Sequence, residues 1–358
     1  MSVLSYKCPS CGADLHFDPE TQNLKCDYCL GNFTEADLET VTSDVNYTTP
    51  GEENIEDAGD NSYITQSVNV YACPSCGAEV VTDDVTSATI CCYCHNPVVF
   101  TKQLSAEFKP SKVIPFKKDK DNALATFKEW SKKKHFLPSD FASPSQLEKI
   151  TGIYIPYWLV DCNTSGYLSA TARNMTSWQS GDYRYTKTDT YSVSRAGSMY
   201  FAYLPHDASK KADDKVMDSI GPFNFEEVEN FSYSYLTGFL AEKYDVTKEE
   251  VYPDIKELVE RSVLAELNSS ITGYDSSHVD ASNVQIHDSK FHYSLLPVWM
   301  LTYIYKGKTY IYAMNGQTGR TFGSLPLCEN KLNKFTAILF IIIFLVVFFA
   351  LAMTGGLA

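Results

Sequence analysis

The sequence predicts a multidomain chain, and three observations predict its parts. A Cys-x-x-Cys pair followed by a second such pair occurs twice near the amino end, at an offset of 65 residues. A Pro-x-Trp segment between aliphatic residues occurs twice further on, at an offset of 141. An uncharged apolar run closes the sequence. Together they predict two small β zinc ribbons, then an α+β body with duplicated helix–strand–hairpin halves, then one C-terminal transmembrane helix. The expected spans are zinc ribbon 1 at 1–34, an acidic linker at 35–70, zinc ribbon 2 at 71–100, the α+β body at 101–330 and the transmembrane helix at 335–353.

Cys8-Pro-Ser-Cys11 is followed, after fourteen residues, by Cys26-Asp-Tyr-Cys29, and Cys73-Pro-Ser-Cys76 is followed, after the same gap, by Cys91-Cys92-Tyr-Cys94. Two residues between cysteines make a tight knuckle that turns both thiolates toward one metal. An intervening hairpin brings in the second knuckle and closes a tetrahedron of sulfur. Four thiolates leave no open coordination position, so the ions are structural, two zincs per chain, with iron as the other metal that tetrahedral sulfur suits. The repeat register selects Cys91 over Cys92 and sets His95 opposite Leu30, outside the ligand set. Gly12 and Gly77, and Gly31 and Asn96, are the positions expected to use positive φ.

Composition bounds the rest. The 358 residues are 44% hydrophobic and 21% charged, which excludes wholesale disorder and a collagen-like chain. Net charge is −14, and all of it sits at the amino end, where residues 1–100 hold only Lys7 and Lys25 against sixteen acids. Phosphate contact needs cations, so these ribbons are poorly equipped for nucleic acid and better suited to protein. Eleven cysteines, an odd number, in CxxC pairs and with no secretory signal at Met1–Ser10, argue for a reducing compartment. Cys162 and Cys328 lack CxxC partners and read as free thiols.

In the body, Asp121–His135 has helical spacing through Leu124, Phe127 and Trp130, within a stretch, Thr101–His135, of ten lysines and four acids. That lysine-rich face (Lys102–Lys134) is open to solvent, anionic lipid or nucleic acid. A second helix is expected over Pro253–Leu267, with Ile255, Leu258, Val259, Val263 and Leu267 on one face and proline in its first turn. Ile155-Pro-Tyr-Trp158 and Leu296-Pro-Val-Trp299 each read as a strand that turns near a glycine, Gly166 and Gly307, into a second strand. Asn315-Gly-Gln-Thr-Gly319 signals the last turn. The sequence contains no nucleotide-binding loop, nucleophile elbow or zinc-protease motif, and His206-Asp207 and His287-Asp288 are neighbours in sequence only. No catalytic residue is assigned, and an enzyme of unknown type ranks third among the functions.

Phe335–Met353 is apolar on every face, and its 19 residues would rise about 28 Å as a helix, enough to cross a bilayer. Lys331 and Lys334 flank its amino side, which by the positive-inside rule places the bulk of the chain in the cytoplasm, on the cell membrane, with a single pass.

YKCPSCGADL with CDYC, YACPSCGAEV with CCYC, YIPYWLVD, LLPVWMLTYIYKGKTYIYAMNGQTGRTFGSLP and the terminal span together resemble one bacterial family. These are transcription factor IIB-type double zinc-ribbon membrane proteins, often labelled phage-replication or replication-restart helicase-like. Some relatives are encoded beside phage shock protein A and SPFH proteins. The resemblance implies a membrane anchor that recruits those proteins during envelope stress. The expected function is therefore a membrane-anchored cytoplasmic zinc-ribbon scaffold. The alternative is a membrane-associated nucleic-acid-binding or replication accessory protein.

Overall fold

The computed structural model describes residues 3–4, 6–38, 68–72, 79–83, 86–90, 97–100, 109–212 and 214–353. Cys73, Cys76, Cys91, Cys92, Cys94 and His95 lie outside them, as does the acidic stretch 39–67. The amino-terminal strands are β1 (Val3–Leu4), β2 (His16–Asp18), β3 (Asn23–Lys25), β4 (Asn32–Phe33), β5 (Val68–Ala72), β6 (Glu79–Asp83), β7 (Thr86–Ile90), β8 (Pro97–Phe100) and β9 (Lys112–Val113). Helices α1 (Lys120–Lys132) and α2 (Pro144–Leu147) precede two long strands, β10 (Thr151–Ser180) and β11 (Tyr183–Asp207). Then come α3 (Asp214–Ile220), β12 (Glu229–Asn230), β13 (Leu240–Glu242), α4 (Lys248–Ser269), β14 (Ser276–Tyr305), β15 (Lys308–Asn315), β16 (Thr321–Gly323) and α5 (Glu329–Met353). The body is mostly sheet, more so than an α+β reading implies. β2, β3 and β4 form one small sheet, β5 and β6 a second, and eleven strands share the third.

The duplicated halves meet across a local two-fold axis. β10 and β14 run antiparallel, and Ile155 pairs with Leu296, its own counterpart at offset 141. The short strands obey the same symmetry. β13 lies parallel to β10 at Ile153 and Tyr154, while β9 lies parallel to β14 at Ser294 and Leu295. The two tryptophans complete it. Trp158 Nε1 donates to the Val246 carbonyl just before α4, at 2.9 Å, and Trp299 Nε1 donates to the Lys118 carbonyl just before α1, at 2.8 Å. Each half's tryptophan therefore tethers the other half's helix, and the halves interlock.

Both predicted helices form with shifted ends. α1 buries Ala123, Phe127 and Ser131, and Asp119 caps it through the Asn122 amide. α4 begins five residues before Pro253, because Thr247 and Glu250 form a reciprocal capping box. The proline therefore sits in the second turn and not the first. Val251, Ile255, Val259, Val263 and Leu267 make the buried stripe.

Gly166 does not turn the chain. β10 continues through it to Ser180, and the reversal comes at Gly181, at φ +63. A Cβ at Gly166 would lie 2.4 Å from Val263 Cγ1 and 2.9 Å from Leu267 Cδ1. The glycine is there for the close approach of α4 to the strand. Gly307 does turn the chain, with Lys306 and Gly307 both at positive φ between β14 and β15. The NGQTG segment also turns, as expected. Asn315 Oδ1 accepts the amides of Gln317 and Thr318, and Gln317 reaches Asn224 and Glu227 from a buried position.

The consequence is an arm. β11 pairs β10 from Tyr157 to Ser180, and β14 pairs it from Thr151 to Arg173. A strand of 30 residues at roughly 3.3 Å each extends ~100 Å. α4 covers one face near the base, whereas beyond Arg173 only two strands continue.

Candidate metal centre and exposed surfaces

Each knuckle of the first ribbon closes with the same two backbone bonds. Gly12 donates to the Cys8 carbonyl and Cys8 to that of Ala13, while Leu30 donates to the Cys26 carbonyl and Cys26 to that of Gly31. The residue directly after the second cysteine thus needs positive φ. It is Gly12 at +76 in one knuckle and Leu30 at +61 in the other. Gly31, expected to take that conformation, is instead small because a Cβ would meet the Phe33 ring at 2.9 Å.

Folded this way, Cys8, Cys11, Cys26 and Cys29 bring their sulfurs within 4.8 Å of one another. Cys8–Cys29 and Cys11–Cys26 are each 3.5 Å apart. A zinc tetrahedron with bonds near 2.3 Å needs sulfur–sulfur separations of about 3.8 Å, so the donor set and its spacing fit a metal ion. Enclosure opposes ionisation of Cys8, yet amides of Cys11 and Ser10 with the neighbouring thiols outweigh it and draw the thiol down to about 6. The cluster thus has a first thiolate for a metal to meet.

The ribbon is built into the body, which its spacing did not reveal. Leu15, Phe17 and Leu24 are buried in the same core as the β10–β14 base. Phe17 donates its amide to Thr237 O at 2.9 Å, and Gln22 Nε2 donates to Phe116 O at 2.8 Å. Glu35, expected to open the linker, accepts from the hydroxyls of Ser232, Ser234 and Tyr6. Burial and that carboxylate together push the Tyr6 hydroxyl's pKa upward. What the ribbon leaves in solvent is its second knuckle, with Tyr28 84% and Leu30 72% exposed. The cleft between ribbon and body, about 630 Å³, has apolar walls including Phe239 and Trp299, and among its lining six carboxylates, Asp14, Asp18, Asp27, Asp119, Asp121 and Glu148, outnumber Lys120 and His16. Such a lining repels phosphate.

The lysine-rich segment is not one stripe. Lys112 donates to Asn230 and Lys117 pairs with Glu227 on the body, whereas Lys132, Lys133 and Lys134 gather at the carboxyl end of α1. Cys162 is buried and Cys328 half-buried, both free. His206 meets the Asp207 backbone carbonyl through Nδ1 and Asp254 through Nε2, and His287 contacts Ser165, so neither histidine is paired with its neighbour's carboxylate. A half-buried pair that sequence did not signal, His292 Nε2 to Asp161 Oδ2 at 2.9 Å, joins residues 131 apart at a bulge in β10. Asp161 also accepts the amide of Tyr203, at φ +52.

Among the described residues, the arm carries the largest exposed aromatic set outside α5. Trp178 stacks on Tyr185 at 5.7 Å, with Met175 and Tyr183 beside them in the tip sequence, all at least 47% exposed. Glu329–Phe349 of α5 is long and apolar enough to cross a membrane, and none of it is buried against the rest of the chain.

No family model matches the chain, and no solved structure matches it. It is similar to a Bacillus subtilis (strain 168) protein named uncharacterized protein YdjG, with 33% identity over 331 residues, covering 92% of each chain. At that identity over nearly the whole of both lengths, the chain belongs to the YdjG family.

Proposed function

We propose that the protein is a membrane-anchored cytoplasmic scaffold that recruits protein partners. α5 is the anchor, with the bulk of the chain on the cytoplasmic face. Two zinc ions are structural. One, on Cys8, Cys11, Cys26 and Cys29, stiffens a wall of the body; the other is held by Cys73, Cys76, Cys91 and Cys94. The observation that carries this reading is the arm, which displays Trp178, Tyr183, Tyr185 and Met175 with Arg184 and Lys187 at its tip. Trp, Tyr, Met and Arg are the types enriched where proteins bind proteins. The resemblance to double zinc-ribbon membrane proteins names the partners to try, phage shock protein A and SPFH proteins in an envelope-stress complex.

The test is co-purification of the full chain with such partners from detergent-solubilised membranes, before and after nuclease. Partners retained after nuclease support a protein scaffold; partners lost with the nucleic acid support the replication-accessory alternative. Elemental analysis of the same preparation should find two zinc ions per chain, and Cys8→Ser should remove one while Cys92→Ser removes none.

A further inference from the structure

We propose that the surface around the amino end of α5 binds the acidic phospholipid headgroups of the bilayer that α5 crosses. This rests on the reading of α5 as a membrane span. The apolar run starts at Phe335, so the turns just before it lie at headgroup depth. The chain near α5 supplies Lys331 and Lys334 there, and folding brings the rest. Phe136, just past α1, packs its ring on Phe335 at 5.4 Å and accepts the Cys328 amide at 2.8 Å. Lys331 Nζ donates to the Leu137 carbonyl at 2.7 Å, across 194 residues of sequence. From the other side, Lys306 in the β14–β15 turn pairs with Glu329 at 2.8 Å. Two distant segments are therefore fastened to the first turns of one helix.

What they present is a basic rim with apolar points. Lys132, Lys133, Lys134, Lys306, Lys308, Lys331 and Lys334 are all exposed. Lys133 and Lys306 are satisfied by Glu129 and Glu329. Lys132, Lys134, Lys308 and Lys334 have no carboxylate at ion-pair distance among the described residues, and Lys134 only lies over the Trp130 ring. Ile304 and Leu327, 71% and 49% exposed, sit within the same segments. Lysines whose ammonium groups lack a carboxylate partner, beside exposed aliphatic side chains, suit an anionic membrane interface, where stems bury and heads meet phosphate. Lysines 132–134, which a sequence reading leaves open to solvent, lipid or nucleic acid, are thereby assigned to lipid.

The experiment uses the full chain in nanodiscs of neutral phosphatidylcholine and in discs that also contain phosphatidylglycerol. Lysines are acylated with a water-soluble reagent and read by peptide mass spectrometry. Lys132, Lys134 and Lys308 should react several-fold more slowly in the anionic discs, and high salt should erase the difference. Lys187 on the arm should react equally in both. In the variant Lys132→Gln, Lys134→Gln, Lys308→Gln, the remaining Lys334, slower in the anionic discs in the wild type, should show a smaller difference between the discs. Equal rates in both discs for the wild-type lysines overturn the inference alone. A chain that enters neither disc overturns the anchor reading and this inference with it.

Discussion

The two halves of the body start from one plan and end differently. In each, a short strand leads to a capped helix and then to a long strand that carries Pro-x-Trp, near the start of β10 and near the end of β14, and the equivalent residues Ile155 and Leu296 pair across the axis between them. The glycine eight residues after each tryptophan then meets different surroundings. Gly307 has nothing within 4 Å of where its Cβ would be, so the chain is free to reverse there. Gly166 lies under Val263 and Leu267 of α4, and the strand it belongs to is held straight by partners on both sides. A turn-competent residue makes a turn only where no neighbouring element needs the strand to go on. The first half's strand goes on with β11 to the arm's tip, β14 of the second half runs beside it as far as Arg173, and the chain turns back at Gly307 at the base near α5.

Substitutions at equivalent places sharpen this difference, read by thermal unfolding of the full chain in detergent. Gly166→Val should be the most damaging, at about 3 kcal/mol, because its branched side chain has no room beneath α4. Trp158→Phe and Trp299→Phe should each cost about 2 kcal/mol, by leaving the buried-side carbonyls of Val246 and Lys118 without a donor. Near-equal losses are required by the two-fold relation. A clear inequality would break it. Gly307→Ala should cost only about 1 kcal/mol, the price of positive φ without a clash. Trp178→Ala with Tyr185→Ala at the arm's tip should shift stability by less than about 0.5 kcal/mol, since both are exposed.

Much of this organisation is legible in the sequence, and what is not has a physical cause. The four cysteines of the first site, the helix faces of α1 and α4, and the terminal apolar helix follow from local spacing, which the chain obeys wherever only near neighbours matter. The straight passage through Gly166 depends on a helix nearly a hundred residues later. The docking of the ribbon depends on Glu35 meeting Ser232, 197 residues away, which no local pattern encodes. Leu30 is instructive in another way. The knuckle needs positive φ directly after its second cysteine, and a rule that looks for glycine picks Gly31, one residue too late. The leucine that occupies the strained position is itself exposed, beside exposed Tyr28, so no core packing selects it.

On the proposed function, the arm's exposed tip recruits protein while the base and α5 hold it in place. The most direct measurement is quantitative co-purification of phage shock protein A and SPFH proteins with the full chain, comparing wild type with the Trp178→Ala, Tyr183→Ala, Tyr185→Ala variant at matched membrane levels and after nuclease. The variant should fold, stay in the membrane, keep its zinc and lose at least one of these partners by tenfold or more, the effect of about 1.4 kcal/mol at a binding hot spot. Undiminished capture of both partners by the variant would contradict it.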